Sequence, residues 1–215
     1  MVNNMAFSSG KKEDGIVFGN AYDKYGSTNP VVKYLMRGFD QSLDHYISQT
    51  GVKEFHEIGC GEGYWVLKYA KKGFETHGSD FSSEVISLAK ENAAEQAVSA
   101  DIFSVKSIYD LNADSDPSQL IVCCEVLEHL ENPVAGLEKL KEVAQEYVIL
   151  SVPSEPLWRI LNLVRFKYIS DLGNTPGHLN HWSRSRFINL VSDYFEVLSV
   201  SSPTPWTMLL CRVKK

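Results

Sequence analysis

The sequence predicts an α/β domain with a mostly parallel sheet that ends in an antiparallel strand pair, and three observations support this fold class. Short apolar segments alternate with helix-like segments through the middle of the chain. This alternation is the pattern of parallel strands joined by helical crossovers. A glycine-rich turn, GCGEG, joins the first of these strands to its helix. Near the C-terminus, only a short turn around PTP separates FEVLSVSS from WTMLLCRVK, which favours antiparallel pairing.

The composition is typical of a globular protein and argues against two classes of partner. The chain is 44% hydrophobic and 22% charged, with a formal net charge of −6. This acidic balance makes nucleic acid and anionic membrane surfaces unexpected partners. No apolar stretch approaches the roughly 20 residues of a membrane span, and the N-terminus lacks the apolar region of a secretory signal. The four cysteines form no CxxC pair, so we expect a reducing, cytoplasmic location.

The first ordered element in the sequence is a helix that precedes the alternating segments. Apolar residues recur at helical spacing between Pro30 and Ile47. Proline suits the first turn of a helix and glycine suits the position just past its end, which here is Gly51. We therefore predict an N-terminal arm and cap helix in residues 1–50, and the main domain in residues 51–215.

Within the main domain, predicted strands and helices alternate. The predicted strands are KEFHEIGC, FETHGSD, IFSVKSIYDL, QLIVCCE and YVILSV. The predicted helices are YWVLKYAKK, SSEVISLAKENAAEQ, PVAGLEKLKEVAQ and, after an insertion, Ser183–Ser192. In an open α/β sheet, ligands bind at the carboxyl ends of the strands. The residues that end or follow each strand are therefore the candidate site residues.

An insertion at about 154–182 interrupts the alternation after the fifth strand. Its apolar positions could form one stripe of a helix: Leu157, Ile160, Leu161, Val164 and Ile169. Between residues 155 and 186 there are five lysines and arginines against two acids. This segment is either a lid that selects an anionic or partly apolar acceptor, or a stripe packed on the domain with solvated charges.

The glycine turn is suited to hold a ligand. Gly59, Gly61 and Gly63 lie where the backbone turns sharply and a helix N-terminus offers free N–H groups. Glu57 ends the first strand, where its carboxylate could face an ammonium. Asp80 ends the second strand, where a carboxylate can accept both hydroxyls of a ribose. A plain tight turn is the alternative interpretation of the glycines alone.

The order of motifs resembles a known family. A dinucleotide fingerprint, G-x-G-x-x-G, would need glycine at position 64, where this chain has Tyr64. In contrast, EIGCGEG, GSDFS and CCEVLEHL, in this order and spacing, resemble the class I S-adenosylmethionine-dependent methyltransferases over roughly residues 53–153. The resemblance implies a three-layer Rossmann-like fold and S-adenosylmethionine as the cofactor.

The resemblance also implies a role for individual residues. The methionyl part of the cofactor would lie among Gly59, Cys60, Gly61 and Gly63, with Glu57 near its amino group. Asp80 would bind the ribose. Phe81 would flank the adenine, with Ser107 and Ile108 on its other side, although the family often has an acid where Ser107 stands. Glu125, at the end of the fourth strand, would lie beside the sulfonium.

The segment EVLEH combines two carboxylates with an imidazole. Helical spacing places Glu125 on one face with Glu128 or His129, although acids at a helix N-terminus can also simply stabilise the helix. Two metal-dependent subgroups, the ubiquinone-pathway O-methyltransferases and the small-RNA 2′-O-methyltransferases, have E-x-x-E-H and a distant histidine. The resemblance to them implies a Mg²⁺ or Mn²⁺ site with these ligands: Glu125, Glu128, His129 and His178. Without a metal, His129 or His178 could act as a general base near Glu125.

The sequence therefore predicts an S-adenosylmethionine-dependent methyltransferase that acts on a hydroxyl of a small-molecule or glycan-type acceptor. The alternatives are a metal-dependent RNA ribose 2′-O-methyltransferase, N- or C-methylation of a small molecule, and a cofactor-binding protein without turnover. Tyr22 and Tyr25 in the arm could anchor the arm or reach the acceptor. The acceptor's identity and the oligomeric state do not follow from the sequence.

Overall fold

A computed structural model describes residues 5–7, 12–13, 16–17, 24–164, 172–175 and 177–214. Two short N-terminal strands, β1 (Lys12–Glu13) and β2 (Ile16–Val17), pair antiparallel. Helix α1 (Pro30–Thr50) follows. The Asn29 side chain accepts hydrogen bonds from the first backbone N–H groups of α1, and Gly51, with φ of 72°, ends the helix. Both predicted ends of this helix are confirmed.

The main domain alternates strands and helices as the sequence predicts. The strands are β3 (Glu54–Ile58), β4 (Glu75–Asp80), β5 (Phe103–Val105), β6 (Ser118–Cys124), β7 (Ala144–Pro153), β8 (Phe195–Ser201) and β9 (Trp206–Val213). The helices are α2 (Tyr64–Ala70), α3 (Ser83–Glu95), α4 (Pro133–Val143), α5 (Leu157–Val164) and α6 (Arg184–Tyr194). Short 3₁₀ segments occupy Ala100–Ile102, Ile108–Asp110 and Leu127–His129.

The seven main strands form one sheet in the order β5-β4-β3-β6-β7-β9-β8. Pairing is parallel from β5 to β7, and β9 pairs antiparallel with both β7 and β8. The predicted fold class, including the C-terminal antiparallel pair, is confirmed. Strands β4 and β5 are added on one side of β3, and the chain then crosses to the other side of β3, where β6 pairs with it. This reversal of strand order creates a crevice at the carboxyl ends of β3 and β6, where ligands bind in such sheets.

Helix α1 packs against this sheet. The ring of Phe39 stacks on Trp65 with the centroids 5.1 Å apart and meets the edge of Trp206 at 5.0 Å. Leu43 and Ile47 are buried in the same apolar cluster. A second cluster, on α4 and α6, contains Phe187. The helix that follows the arm is thereby held against α2 and β9. The domain division at residue 51 stays a prediction.

Two elements differ in length from their predictions. The third strand of the main domain covers only Phe103–Val105, because the Ser107 hydroxyl accepts a hydrogen bond from Tyr109 N (3.3 Å) and starts a 3₁₀ turn. Helix α4 ends at Val143, and β7 begins directly after it. The insertion contains α5, while Ile169 lies outside the described residues. Among the described residues, no helix combines the length and the hydropathy that a bilayer crossing requires.

Candidate functional site

Hydrogen bonds donated by its backbone N–H groups attach the turn after β3 to the end of β4. Gly59 N and Cys60 N both donate to Ser79 O, at 2.7 Å and 3.0 Å. Gly61 N donates to Asp80 Oδ2 at 3.1 Å. We call residues 59–63 the glycine loop. Because three of its N–H groups bond to adjacent residues of β4, the loop is held rigidly at the crevice.

Asp80 joins the glycine loop to the start of α3. Its Oδ1 accepts a hydrogen bond from Ser82 N at 3.1 Å, while its Oδ2 accepts one from Gly61 N. Burial raises the pKa of Asp80, and backbone hydrogen bonds from Ser82, Gly61 and Phe81 oppose that rise. The carboxylate thus lies at the position expected of a ribose ligand, and that role stays a prediction.

Glu57 lies beneath the loop, and one of its oxygens has no partner among the residues that the structure describes. The residue is buried, and Glu57 Oε2 lacks a hydrogen bond to any described residue. Burial raises its pKa well above the ordinary value of a glutamate. A buried acceptor without a partner is costly in a protein unless a ligand satisfies it. Glu57 is therefore suited to accept a hydrogen bond from a ligand's ammonium.

Close packing explains two of the loop glycines. At Gly59 (φ 75°) an added Cβ would collide with the side chain of Val126, the residue after Glu125. At Gly63 (φ 83°) it would lie 2.5 Å from Phe103 Cζ. Both positions combine a left-handed backbone with contacts that exclude a side chain. The loop can therefore lie against β5 and the segment after β6 only because these residues are glycine.

Substituting Gly63 by alanine tests this packing, and Gly73 provides a matched control. Gly73 has a φ of 82°, and a Cβ there would meet nothing within 4 Å. Gly73→Ala should cost about 1–2 kcal/mol of unfolding free energy from backbone strain alone. Gly63→Ala should cost about 1–3 kcal/mol more, because it also overpacks the core. Urea unfolding measures both values. Equal losses for the two variants would contradict the packing explanation.

The predicted adenine-flanking residues lie at the ends of two adjacent strands. Phe81 follows β4 and is 42% exposed, and Ile108, beyond β5, is buried. Lys106 N donates to Asp80 O at 2.9 Å and fixes the two strand ends together. Phe81 therefore offers an accessible ring face. Ser107, whose hydroxyl caps the 3₁₀ turn, is engaged within its own segment.

Glu125 ends β6 in a strained conformation with both carboxylate oxygens engaged. Its φ is 60°, a left-handed value that costs about 1–3 kcal/mol in a residue other than glycine. Glu125 N donates to Ser151 O (3.0 Å), Oε1 accepts from Ser151 Oγ (3.0 Å), and Oε2 accepts from Trp206 Nε1 (2.5 Å). Burial raises its pKa to about 7. These contacts hold the carboxyl group at the crevice.

Glu128, His129 and His178 form a compact cluster beside Glu125. One ligand atom from each lies within 4.8 Å of the others. Neither carboxyl oxygen of Glu128, nor Nδ1 of His178, has a hydrogen-bond partner among the described residues. The structure thus brings together three of the four predicted metal ligands. Glu125 is not in this set, because its oxygens face Ser151 and Trp206, and its role as a ligand stays a prediction.

Burial sets the protonation of this cluster. It lowers the pKa of His129, and it lowers that of His178 to about 3, with the neighbouring His129 and His181 adding to the shift. Both imidazoles are therefore neutral at pH 7. His129 Nδ1 donates to Gly177 O at 2.9 Å, which leaves its Nε2 as an acceptor. Burial, and then the charge of Glu125, raise the pKa of Glu128 well above its ordinary value.

Backbone hydrogen bonds bring His178 to the cluster from the insertion. Leu179 N and Asn180 N both donate to Glu128 O, at 2.8 Å and 3.0 Å. The Asn180 amide also donates to Leu130 O at 2.6 Å. The Trp158 ring lies 5.9 Å from His178, at 28° to its plane. The end of the insertion is therefore attached to the 3₁₀ turn that carries Glu128 and His129.

Sequence reasoning missed several residues of the site. Ser151 and Trp206 hold the Glu125 carboxylate. Of these two, only Ser151 could have been found from the sequence, because the register of β6 and β7 pairs it with Cys124, the residue before Glu125. Lys24 in the arm was also missed. Burial lowers its pKa, and the carboxylates opposing that shift are Glu125, Glu62, Glu57 and Glu128. So many acids in one crevice favour a cationic ligand. Tyr22, predicted beside Tyr25, lies outside the described residues.

Comparison with known proteins gives a consistent result. A family model described as a methyltransferase domain matches residues 43–200. Two curated relatives are each named ubiquinone biosynthesis O-methyltransferase. The one from Pseudoalteromonas translucida (strain TAC 125) is 28% identical over 108 residues, which are 48% of this chain and 45% of the relative. The one from Methylococcus capsulatus is 23% identical over 167 residues, 70% of this chain and 68% of the relative. The chain spans about half the length of the first relative.

A solved structure shares the fold. Magnesium protoporphyrin IX methyltransferase from Synechocystis PCC 6803, with bound SAH, superimposes with a TM-score of 0.65 at 21% sequence identity. The match covers 88% of this chain and 90% of that chain. At this identity the likeness concerns the fold.

Proposed function

Because this chain belongs to the class I S-adenosylmethionine-dependent methyltransferases, we propose that it methylates a hydroxyl of a small-molecule or glycan-type acceptor. The observation that carries the proposal is the cluster of Glu128, His129 and His178. It lies beside the carboxyl end of β6, next to the crevice that the glycine loop borders. The names of the two curated relatives support oxygen as the accepting atom.

The residues of the site divide into those that hold the cofactor and those that prepare the acceptor. The cofactor supplies a methyl group on a sulfonium, which is transferred by in-line displacement. The glycine loop, Glu57 and Asp80 would bind its two ends, and the acids of the crevice would favour its positive charge. Loss of the acceptor proton requires a base. His178, with a pKa of about 3, is a weak base, so Glu125 is better suited to that step. His129 could serve as the base only when no cation occupies its Nε2, because its Nδ1 donates to Gly177 O.

A divalent cation fits the same cluster. Within the described part of the chain, the two buried oxygens of Glu128 and Nδ1 of His178 have no hydrogen-bond partner. His129 is oriented by its bond to Gly177 O, as metal-binding histidines usually are. Carboxylate and neutral imidazole groups together suit Mn²⁺ or Mg²⁺. Bound there, such an ion would polarise the acceptor hydroxyl.

A methyl-transfer assay tests the proposal. The protein is incubated with methyl-labelled S-adenosylmethionine and a panel of hydroxyl, amine and RNA acceptors, with EDTA or with added Mn²⁺. We expect label on an oxygen of a small molecule, loss of transfer in EDTA and recovery with Mn²⁺. Mass spectrometry locates the label. Label on nitrogen or carbon, or only on an RNA ribose, would contradict hydroxyl transfer to a small molecule.

A further inference from the structure

A cleft of about 640 Å³ lies between the arm and α1, outside the crevice that holds the candidate cofactor residues. We call it the arm cleft and define it by Lys24, Tyr25, Lys33, Tyr34, Arg37 and Tyr64. Its volume is in the range of small-molecule sites, about 300–1,000 Å³. The arm cleft is therefore large enough for part of an acceptor.

The arm cleft adjoins the glycine loop. Tyr64, in its wall, is the first residue of α2 and follows Gly63 directly. Tyr25 stacks on Tyr64 with the ring centroids 3.7 Å apart and meets the edge of Trp65 at 5.6 Å. Lys24, also in the wall, lies within electrostatic range of Glu125. A molecule in the arm cleft would thus lie next to the residues proposed to hold the cofactor.

The charge of the arm cleft is positive although the whole chain is acidic. Lys33 and Arg37 are exposed, one turn apart on α1, and neither has an ion pair with any described residue. Two like charges at this spacing repel each other. Asp40, the acid in the wall, is already engaged by Trp65 Nε1 (2.8 Å) and by Lys68 Nζ (3.4 Å). An anion between Lys33 and Arg37 would relieve the repulsion.

The walls also provide ring surfaces beside these cations. Tyr34 lies between Lys33 and Arg37 in the chain and is 72% exposed. Tyr25 and Tyr64 line the side nearer the glycine loop. Aromatic faces stack on ring-bearing ligands, and a guanidinium binds carboxylate or phosphate through paired hydrogen bonds. The combination suits a ring that carries an acidic group.

We propose that the arm cleft binds the ring-bearing, anionic part of the methyl acceptor, with its carboxylate or phosphate between Lys33 and Arg37. The identification of the bound molecule as the acceptor rests on the proposed function; the anion site itself does not. The substrate class is therefore a hydroxylated ring compound with an acidic group.

Calorimetry on the SAH-saturated protein tests the site with three probes: 3,4-dihydroxybenzoate, its methyl ester and phenyl phosphate. The variant Lys33→Gln/Arg37→Gln removes both cations. The control Lys90→Gln/Lys141→Gln removes two exposed helical lysines that have no ion pair among the described residues. Each pair changes the formal net charge from −6 to −8, since two positive charges are lost.

In the wild type, the acid should bind more tightly than its ester. Lys33→Gln/Arg37→Gln should weaken an anionic probe by about tenfold, as loss of hydrogen bonds to a charged group does, and should leave the ester unchanged. The anionic probe with the larger loss identifies the acidic group. Equal binding of acid and ester, equal losses in both double variants, or no binding of either anion at millimolar concentration would overturn the proposal.

The same variants separate this site from the proposed function. If Lys33→Gln/Arg37→Gln loses anion binding while the wild type transfers methyl only to nitrogen or carbon, the anion site stands and hydroxyl transfer fails. If hydroxyl transfer to the acidic acceptor proceeds equally in the wild type and in this variant, the anion site fails and the function stands.

Discussion

Replacing His178 with alanine is expected to lower the rate of methyl transfer by about 100-fold, because the variant loses one of the three groups proposed to hold the cation that polarises the acceptor hydroxyl. Affinity for SAH should be unchanged, because His178 lies with Glu128 and His129 rather than in the glycine loop. Stopped assays with labelled cofactor give the rate, and calorimetry gives the affinity.

The Nδ1 atom of His178, which has no hydrogen-bond partner among the described residues, allows a functional role to be distinguished from a structural one. Truncation therefore removes no hydrogen bond to a described residue at this atom. Because the buried ring packs against Trp158, we expect a modest fall in the free energy of unfolding from lost packing, together with loss of Mn²⁺ binding measured by electron paramagnetic resonance. His45→Ala, at an exposed histidine on α1, is the matched control. A fall in stability that parallels the fall in rate, with Mn²⁺ binding intact, would assign His178 to structure alone.

Replacing Asp80 with alanine is expected to weaken SAH binding by about 100-fold or more. A carboxylate that accepts both ribose hydroxyls makes two charge-assisted hydrogen bonds, each worth about 1.5–3 kcal/mol. The variant also removes the hydrogen bonds that Gly61 N and Ser82 N donate to Asp80, so the glycine loop should lose order as well. Calorimetric titration of SAH measures the affinity.

Asp80→Asn separates the two effects. The amide keeps one oxygen that can accept from Gly61 N or Ser82 N, but it loses the charge and one acceptor. We expect an affinity between those of the wild type and Asp80→Ala. Asp114→Ala, at an exposed acid in the loop before β6, serves as the control and should bind SAH normally. Normal SAH affinity in Asp80→Ala would remove the assignment of Asp80 to the ribose.

Local sequence patterns were sufficient to predict most of the fold. Alternating apolar and helical segments predicted the five parallel strands in order, and the PTP turn predicted the pairing of β8 with β9. The ends of α1 followed from Pro30 and Gly51. The length of β5 could not be predicted from the sequence, because the hydroxyl of Ser107 starts a 3₁₀ turn there. A single hydrogen bond of this kind has no periodic signature in the sequence.

Some residues of the candidate site could be placed from the sequence, and others required the tertiary structure. Glu57, the glycines and Asp80 could be placed from the sequence, because parallel strands bring their carboxyl ends to one edge. The direction of the Glu125 side chain could not be predicted from the sequence. Its carboxylate turns to Ser151 and Trp206, and Trp206 is 81 residues away in the chain.

The sequence by itself determined the order of strands and helices, the sharp turn after β3 and the acids that follow the strands, because each depends on residues close together in the chain. Only the tertiary structure decided how the end of the insertion reaches Glu128 and His129, a meeting that the family resemblance alone had implied, and that Tyr25 stacks on Tyr64. These meetings depend on hydrogen bonds and ring contacts between distant segments. Their energies depend on packing geometry, which residue type and spacing do not encode.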